Sequence, residues 1–374
     1  MNDIIIMSAQ SRKSFDLYNI LIKKNYNTYL CSSSNFFKRF CLKIVYGKNL
    51  ILFSRKIEEA IKKIDIKKDS TITVFATEEE DIINLYSIKN ELKKKVKFLI
   101  PPEVSFHTAR SKDYFSKFCN KNTIPVPKEF QKSEIINKKL NNDIVLKPIL
   151  GSGAYGITYF KKNQWINKDS LKRSFDFILQ EKIGSHGSKI VTGCFLFKNG
   201  NLIDYFGHKR IRTFPMTGGV TLYSKLYNNE LIKELGSNLL KKLNWTGFAM
   251  IEFMWCDINK EYKIIELNPR LWGSMILSEA CNSNMITNYI QLCNNENTKK
   301  TNLRSKASVR WMIPYDLINL LTLKISFKEF FKFEPSPQVL INISYSTIFR
   351  SLKFFIFQLI CNEKFINRLM KFKK

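Results

Sequence analysis

The chain has 374 residues, 44% of them hydrophobic, and carries a formal net charge of +29 from 61 Lys and Arg against 32 Asp and Glu. That length exceeds the roughly 250 residues at which single cores stop growing, so two or three domains are expected, and the hydrophobic content is ample for globular folding. The charge predicts affinity for polyanions, whether phosphorylated substrates, nucleic acid or an anionic membrane face, although a Lys-, Asn- and Ile-rich bias accounts for part of it without any ligand.

The opening MNDIIIMSAQ reads as a short strand and lacks the long apolar region of a secretory signal. No apolar run reaches the roughly 18 residues needed to span a bilayer. DIIIMSA, SFDLYNILIKKN, NTYLCSS, STITVFAT and VKFLIPP alternate strand and helix, the rhythm of a parallel α/β domain with short connections. The first strand-to-helix turn, Ser8 to Lys13, has no glycine where a dinucleotide fold needs GxGxxG, which argues against NAD. Eight scattered cysteines with no CxxC pair and three histidines argue against zinc and for reduced, buried thiols in a cytosolic protein.

A change comes at about Ala109. SKDYFSKFCNKN predicts a helix stopped by the extended IPVP segment, and strands and glycines then become frequent. NDIVLKPILGSGAYGI predicts a strand ending in Lys147, followed by a loop with Gly151, Gly153 and Gly156 whose backbone amides suit phosphate. The lysine precedes the glycines, so this is not a P-loop. Further on, Glu252 in FAMIEFMW and Glu266 in KIIELNP lie in alternating apolar segments that read as strands, with Asn268 on the same strand face as Glu266. Glu, Glu and Asn oxygens suit a hard cation that also holds phosphate, and Arg270 adds a fork for phosphate oxygen. A β-hairpin with two solvated edge carboxylates is the simpler reading of that pair alone.

Taken in this order, a strand lysine, a glycine loop and a later Glu, Glu, Asn set resemble the ATP-grasp superfamily from about Arg110 to Asn294. The resemblance implies a fold of mixed α/β and α+β class. It comprises an N-terminal parallel α/β domain (1–108), a two-lobed ATP-grasp domain with nucleotide between antiparallel sheets (109–297, lobes about 109–180 and 181–297) and a basic, aromatic-rich helical C-terminal region (298–374). It implies that Lys112 and Lys147 reach the phosphates. Gly151, Ser152, Gly153 and Gly156 would form the lid, and Gln180, Glu181, Lys182 and Ile183 the hinge that reads adenine. YFGHKRIRTFPMTGG would bring Lys209, Arg210 and Arg212 to the γ-phosphate and acyl substrate, ahead of a Thr217, Gly218, Gly219 loop. Glu252, Glu266 and Asn268 would hold Mg²⁺ or Mn²⁺, and Arg270 would stabilise developing charge. The ribose contact has no acidic residue past the hinge; Ser185, His186 and Ser188 stand there instead.

The implied reaction is ATP-dependent ligation of a small-molecule carboxylate with an amine through an acyl phosphate, giving ADP and phosphate. Two alternatives stay open. One is a phosphotransferase on the same site. The other is a polyanion-binding protein on a degenerate nucleotide fold, though no RRM, KH or helix-turn-helix signature supports nucleic acid. His208 is an even candidate for a role, His107 reads as structural, and Trp245, Trp255 and Trp272 read as core. The tail SLKFFIFQLICNEKFINRLMKFKK places Leu352, Phe355, Ile356, Leu359, Ile366 and Met370 near one helical face. That face packs on its own protein or, flanked by basic residues, on an anionic membrane surface or a partner helix. The expected location is cytoplasmic, with peripheral membrane association the alternative; the oligomeric state is open.

Overall fold

The computed structural model describes residues 3–32, 35–52, 71–90, 95–151, 156–184, 190–214, 220–312, 316–333, 338–341 and 348–361. Chain contacts divide the molecule into two compact units, one of residues 1–100, 211–226 and 270–374, the other of 101–210 and 227–269. Residues 1–100 of the stretch expected as an N-terminal domain and the whole C-terminal region thus fall in one unit, together with 211–226, while 101–108 fall in the other. Residues 270–297, expected in the ATP-grasp domain, join them there.

In the first unit a parallel sheet is ordered Leu50–Leu52, Asn27–Ser32, Asp3–Ile6, Ile72–Phe75, Val96–Lys97. Its central strand is buried along its whole length, which a continuous apolar run requires of a parallel strand covered on both faces. Ser8 makes the tight turn after it in the left-handed region, φ 52°, where glycine was absent, and its Oγ donates to Asp81 at 2.7 Å. Ser11 then caps helix Arg12–Lys23. The helix Met285–Cys293 belongs to this unit because Tyr289 stacks on Phe75 at 4.4 Å and donates to the Val74 carbonyl at 2.8 Å. Strands Val220–Leu226 and Ser308–Trp311 pair antiparallel, and Ser308–Trp311 pairs parallel with Gln338–Ile341.

Among the described residues the second unit holds a two-stranded antiparallel ribbon, Lys138–Lys139 with Trp165–Ile166, and two larger antiparallel sheets. The smaller is ordered Glu129–Phe130, Phe177–Glu181, Ile144–Pro148, Thr158–Phe160. Its apolar face packs Ile144, Leu146, Phe160 and Leu179 into a core of its own. The larger runs Glu261–Asn268, Gly247–Cys256, Val191–Lys198 and then the first part of Asn201–Phe214. Its inner face, with Phe195, Phe197, Ala249, Ile251 and Phe253, packs on helix Glu230–Lys242. Trp245 and Trp272 are buried as expected, whereas Trp255 is half-buried, edge-on to Tyr262 at 5.1 Å.

Gly236 lets that helix approach the sheet, because a Cβ there would overlap the ring of Phe195, which a Cβ on Gly193 would also meet at 2.6 Å. Gly236→Ala gains about 1 kcal/mol of helix propensity but incurs about 1–3 kcal/mol of overpacking in a ring held from both sides. A net loss of stability, read as a lower denaturation midpoint, is the expected result; a gain would show that Phe195 has room to move.

Candidate active site

Strand alternation decides which side chains meet. On the larger sheet Val191, Phe195, Ile251 and Phe253 point into the core, so Thr192, Met250 and Glu252 point the other way. Glu252 and Glu266 are direct cross-strand partners, and Asn268 pairs with Met250. A bulge follows at Glu252/Phe253. It lets Ile264 and Leu267 both enter the core, three residues apart, while Glu266 and Asn268 face the site together. Two carboxylates opposed on one face, Glu252 buried and Glu266 about a quarter exposed, repel each other unless positive charge stands between them.

Cationic side chains answer them. Arg210 Nη2 is bonded to Glu252 Oε1. Lys112 Nζ, at the start of the Ser111-capped helix Lys112–Lys121, is 3.5 Å from Glu266 and donates to the Gly151 carbonyl at 2.9 Å. Lys147 comes from the smaller sheet: with Leu146 facing that lobe's core, Lys147 and Gln180 share the other face, and Nζ donates to Gln180 Oε1 at 3.0 Å. Burial pushes the Lys147 ammonium down to about 8 and Lys112 adds to this, while the Glu266 and Glu252 carboxylates hold it up. His208 is buried beside Arg210, and burial first, then the Arg210 charge, pushes it down to about 3, so its ring is neutral at ordinary pH.

Several expected residues have other partners or belong to the first unit. Lys209, read as catalytic, is one residue out of phase with Arg210 on the same strand and therefore faces the core side, its Nζ 3.6 Å from the centre of the Tyr227 ring. Arg212 is in the first unit, where a two-pronged pair at 2.9 and 2.7 Å ties it to buried Asp316, which also holds Arg310 at 2.6 Å. Arg270 lies in that unit too, with Nε 3.7 Å from Glu79. Ser152, Gly153, His186 and the Thr217 to Gly219 loop lie outside the described residues. The glycine loop leaves at Gly151, φ 121°, and returns at Gly156, φ 74°, where a Cβ would stand 2.8 Å from Pro148. In the hinge, the Glu181 and Lys182 amides donate to the Lys128 and Asp143 carbonyls, and their side chains pair with Lys263 at 2.7 Å and Asp143 at 3.2 Å. Ile183 follows, nearly buried.

Sequence reading missed Lys263, which pins the hinge, and a polar cluster in the first unit. There Lys13 Nζ lies 2.7 Å from Glu78, and burial, helped by Arg270 and opposed by Glu78, pushes the Lys13 ammonium down to about 8. Asp81 accepts from Ser8 and from the Thr77 and Glu78 amides, yet burial pushes it up to about 6. The Ser8 to Lys13 turn had been read only for what it lacks.

In the second unit, carboxylates and an amide on one antiparallel sheet thus stand with a lysine from the other sheet, a second lysine at a helix start and a glycine loop that follows the lysine strand. Residues 109–274 match a family model described as an ATP-grasp domain, and that stretch of the chain is similar to the family. Among solved structures, an N5-carboxyaminoimidazole ribonucleotide synthetase in its ADP complex is similar at TM-score 0.62 and 15% identity, covering 90% of each chain. Campylobacter jejuni biotin carboxylase, as a β-γ-ATP complex, is similar at TM-score 0.60 and 13% identity, covering 82% of this chain and 74% of that one. The biotin carboxylase domain of Hydrogenobacter thermophilus 2-oxoglutarate carboxylase, with MgADP and bicarbonate, is similar at TM-score 0.58 and 11% identity, covering 80% and 71%. At these identities the likeness is one of fold. No curated protein sequence matches the chain.

Proposed function

We propose that the protein is an ATP-dependent ligase that activates a small carboxylate as an acyl phosphate for attack by an amine, releasing ADP and phosphate. The observation that carries this reading is the meeting of Glu252, Glu266 and Asn268 on one sheet face with Lys112 and Lys147 opposite them. Carboxylate and triphosphate repel, so a catalyst must neutralise both before oxygen attacks the γ-phosphorus.

Each residue has a task in that scheme. Lys112 and Lys147 bind phosphate oxygens. The Ile183 amide turns to the purine edge, since those of Glu181 and Lys182 are already engaged. Glu252, Glu266 and Asn268 hold Mg²⁺ or Mn²⁺, and their hard oxygen donors fit such an ion. The metal, when bound, neutralises phosphate charge. Arg210, released from Glu252, stabilises oxygens that gain charge in the transition state. Gly151, Ser152, Gly153 and Gly156 close over the phosphates and keep water from the acyl phosphate. The carboxylate class includes bicarbonate, the anion present in the Hydrogenobacter neighbour. A cytoplasmic location, where ATP is supplied, suits this chemistry.

Product analysis tests the reading. ADP release that needs both a carboxylate and an amine supports ligation. ADP with a single phosphorylated product makes the enzyme a phosphotransferase instead. Retention of nucleic acid with no turnover on any substrate pool makes the +29 charge, and not the clamp, the functional feature.

A further inference from the structure

Of the face expected to pack on the protein or on a membrane or partner helix, Leu352, Phe355, Ile356 and Leu359 lie on helix Ile348–Cys361, which buries Ser351, Phe354, Phe357, Gln358 and Cys361 instead, and Ile366 and Met370 lie outside the described residues. Phe354 stacks on Phe15 at 4.3 Å and lies 6.5 Å from Tyr46, Arg350 donates to Asn19 at 2.9 Å, and the Cys361 thiol meets that of Cys41. Contacts of 354 with 46 and of 361 with 41 make this helix antiparallel to Phe36–Tyr46. The second helix buries Leu42, Val45 and Tyr46 and leaves Phe36, at 86% exposure, with Phe37, Phe40 and Ile44 outward. Beside them Leu352, Ile356 and Ile360 are also outward.

An exposed aromatic and aliphatic surface spread over two packed helices marks an interaction site. Its charge selects the partner. Lys38, Arg39, Lys43, Arg350 and Lys353 lie on these helices, and neither carries an Asp or Glu. A second copy would bring the same positive charge against itself, whereas anionic lipid headgroups complement it. No helix among the described residues is long and apolar enough to cross a membrane. The geometry points to a face that lies on an anionic phospholipid bilayer, Phe36, Phe37 and Phe40 entering the headgroup boundary and the flanking lysines meeting phosphate.

Flotation of the full chain tests this. With vesicles of equal parts phosphatidylcholine and phosphatidylserine at low salt the protein floats; with phosphatidylcholine alone it stays in solution, and added salt releases it. Phe36→Ser, Phe37→Ser and Phe40→Ser together lower partitioning about tenfold or more, as does Lys43→Glu with Lys353→Glu, since each basic residue near the surface contributes about fivefold. Both variants keep the melting temperature and ATP turnover of the parent, because these side chains are exposed and none is among the residues assigned to the nucleotide. No flotation with the mixed vesicles, or flotation that survives both variants, overturns the assignment. So does a dimer in sedimentation velocity that the phenylalanine variant dissociates, which makes the face a self-interface. None of these readouts depends on which ligation the enzyme performs.

Discussion

Glu266→Gln is expected to lower metal-dependent ATP turnover by about a hundredfold or more while the fold is kept, since a neutral amide cannot supply the charge that holds the divalent ion against the phosphates. The structure makes the stability side of this prediction specific. Glu266 stands directly opposite Glu252, so removing one of two facing carboxylates relieves repulsion, and what is lost is the 3.5 Å pair with Lys112. The melting temperature should therefore stay within a few degrees of the parent or rise. Steady-state ADP release at saturating Mg²⁺, with a thermal melt on the same preparation, checks both halves. Unchanged turnover would remove Glu266 from the ligand set.

Lys147→Met is expected to weaken ATP binding by about 1–3 kcal/mol, roughly five- to more than a hundredfold in Kd, the cost of losing a charge-assisted contact. The depressed Lys147 pKa adds a pH signature with two opposite signs. The ammonium is the form that binds phosphate, and in the free enzyme it titrates at about 8. ATP affinity should therefore be highest below pH 8 and fall toward tenfold per unit above it, as binding has to recover the proton. Stability of the nucleotide-free protein runs the other way. Between about 8 and the ordinary lysine value near 10.5 the unfolded chain binds more protons than the native one, so rising pH favours the native state. Lys147→Arg, by staying charged, removes the affinity slope and the Lys147 share of the stability slope, while buried Lys13, also pushed down to about 8, keeps its own share. Isothermal titration from pH 7 to 10 reads the first slope and urea melts the second; an affinity that is flat over that range would place Lys147 off the phosphates.

The second-unit clamp was largely legible in the sequence because its parts sit in regular strands. Val145 and Lys147 alternate with core-facing Ile144 and Leu146, and Met250 and Glu252 with core-facing Ala249, Ile251 and Phe253; once a strand period is read, the face of each side chain follows. The same rule misled where it was not applied residue by residue. Lys209 and Arg210 were both assigned to the site as neighbours in a basic run, but adjacent residues of a strand cannot point to one face, and only Arg210 reaches Glu252. The C-terminal helix failed for another reason. Its sequence is apolar nearly all round, Phe354 and Phe357 being as hydrophobic as Leu352 and Ile356, so periodicity could not say which stripe would find a partner.

Local order of apolar and polar residues therefore fixed the elements themselves: the parallel α/β opening, the lysine strand, the paired acidic strands and the absence of a dinucleotide turn. Tertiary structure alone decided which charges meet. The bulge after Glu252 aligns Glu266 and Asn268 with it, Asp316 takes Arg212 across a sequence gap of 104 residues, and Phe15 and Tyr46 select the buried side of Ile348–Cys361. Such pairings depend on chain closure over long separations, and a one-dimensional pattern carries the period of each segment but no information on what it packs against.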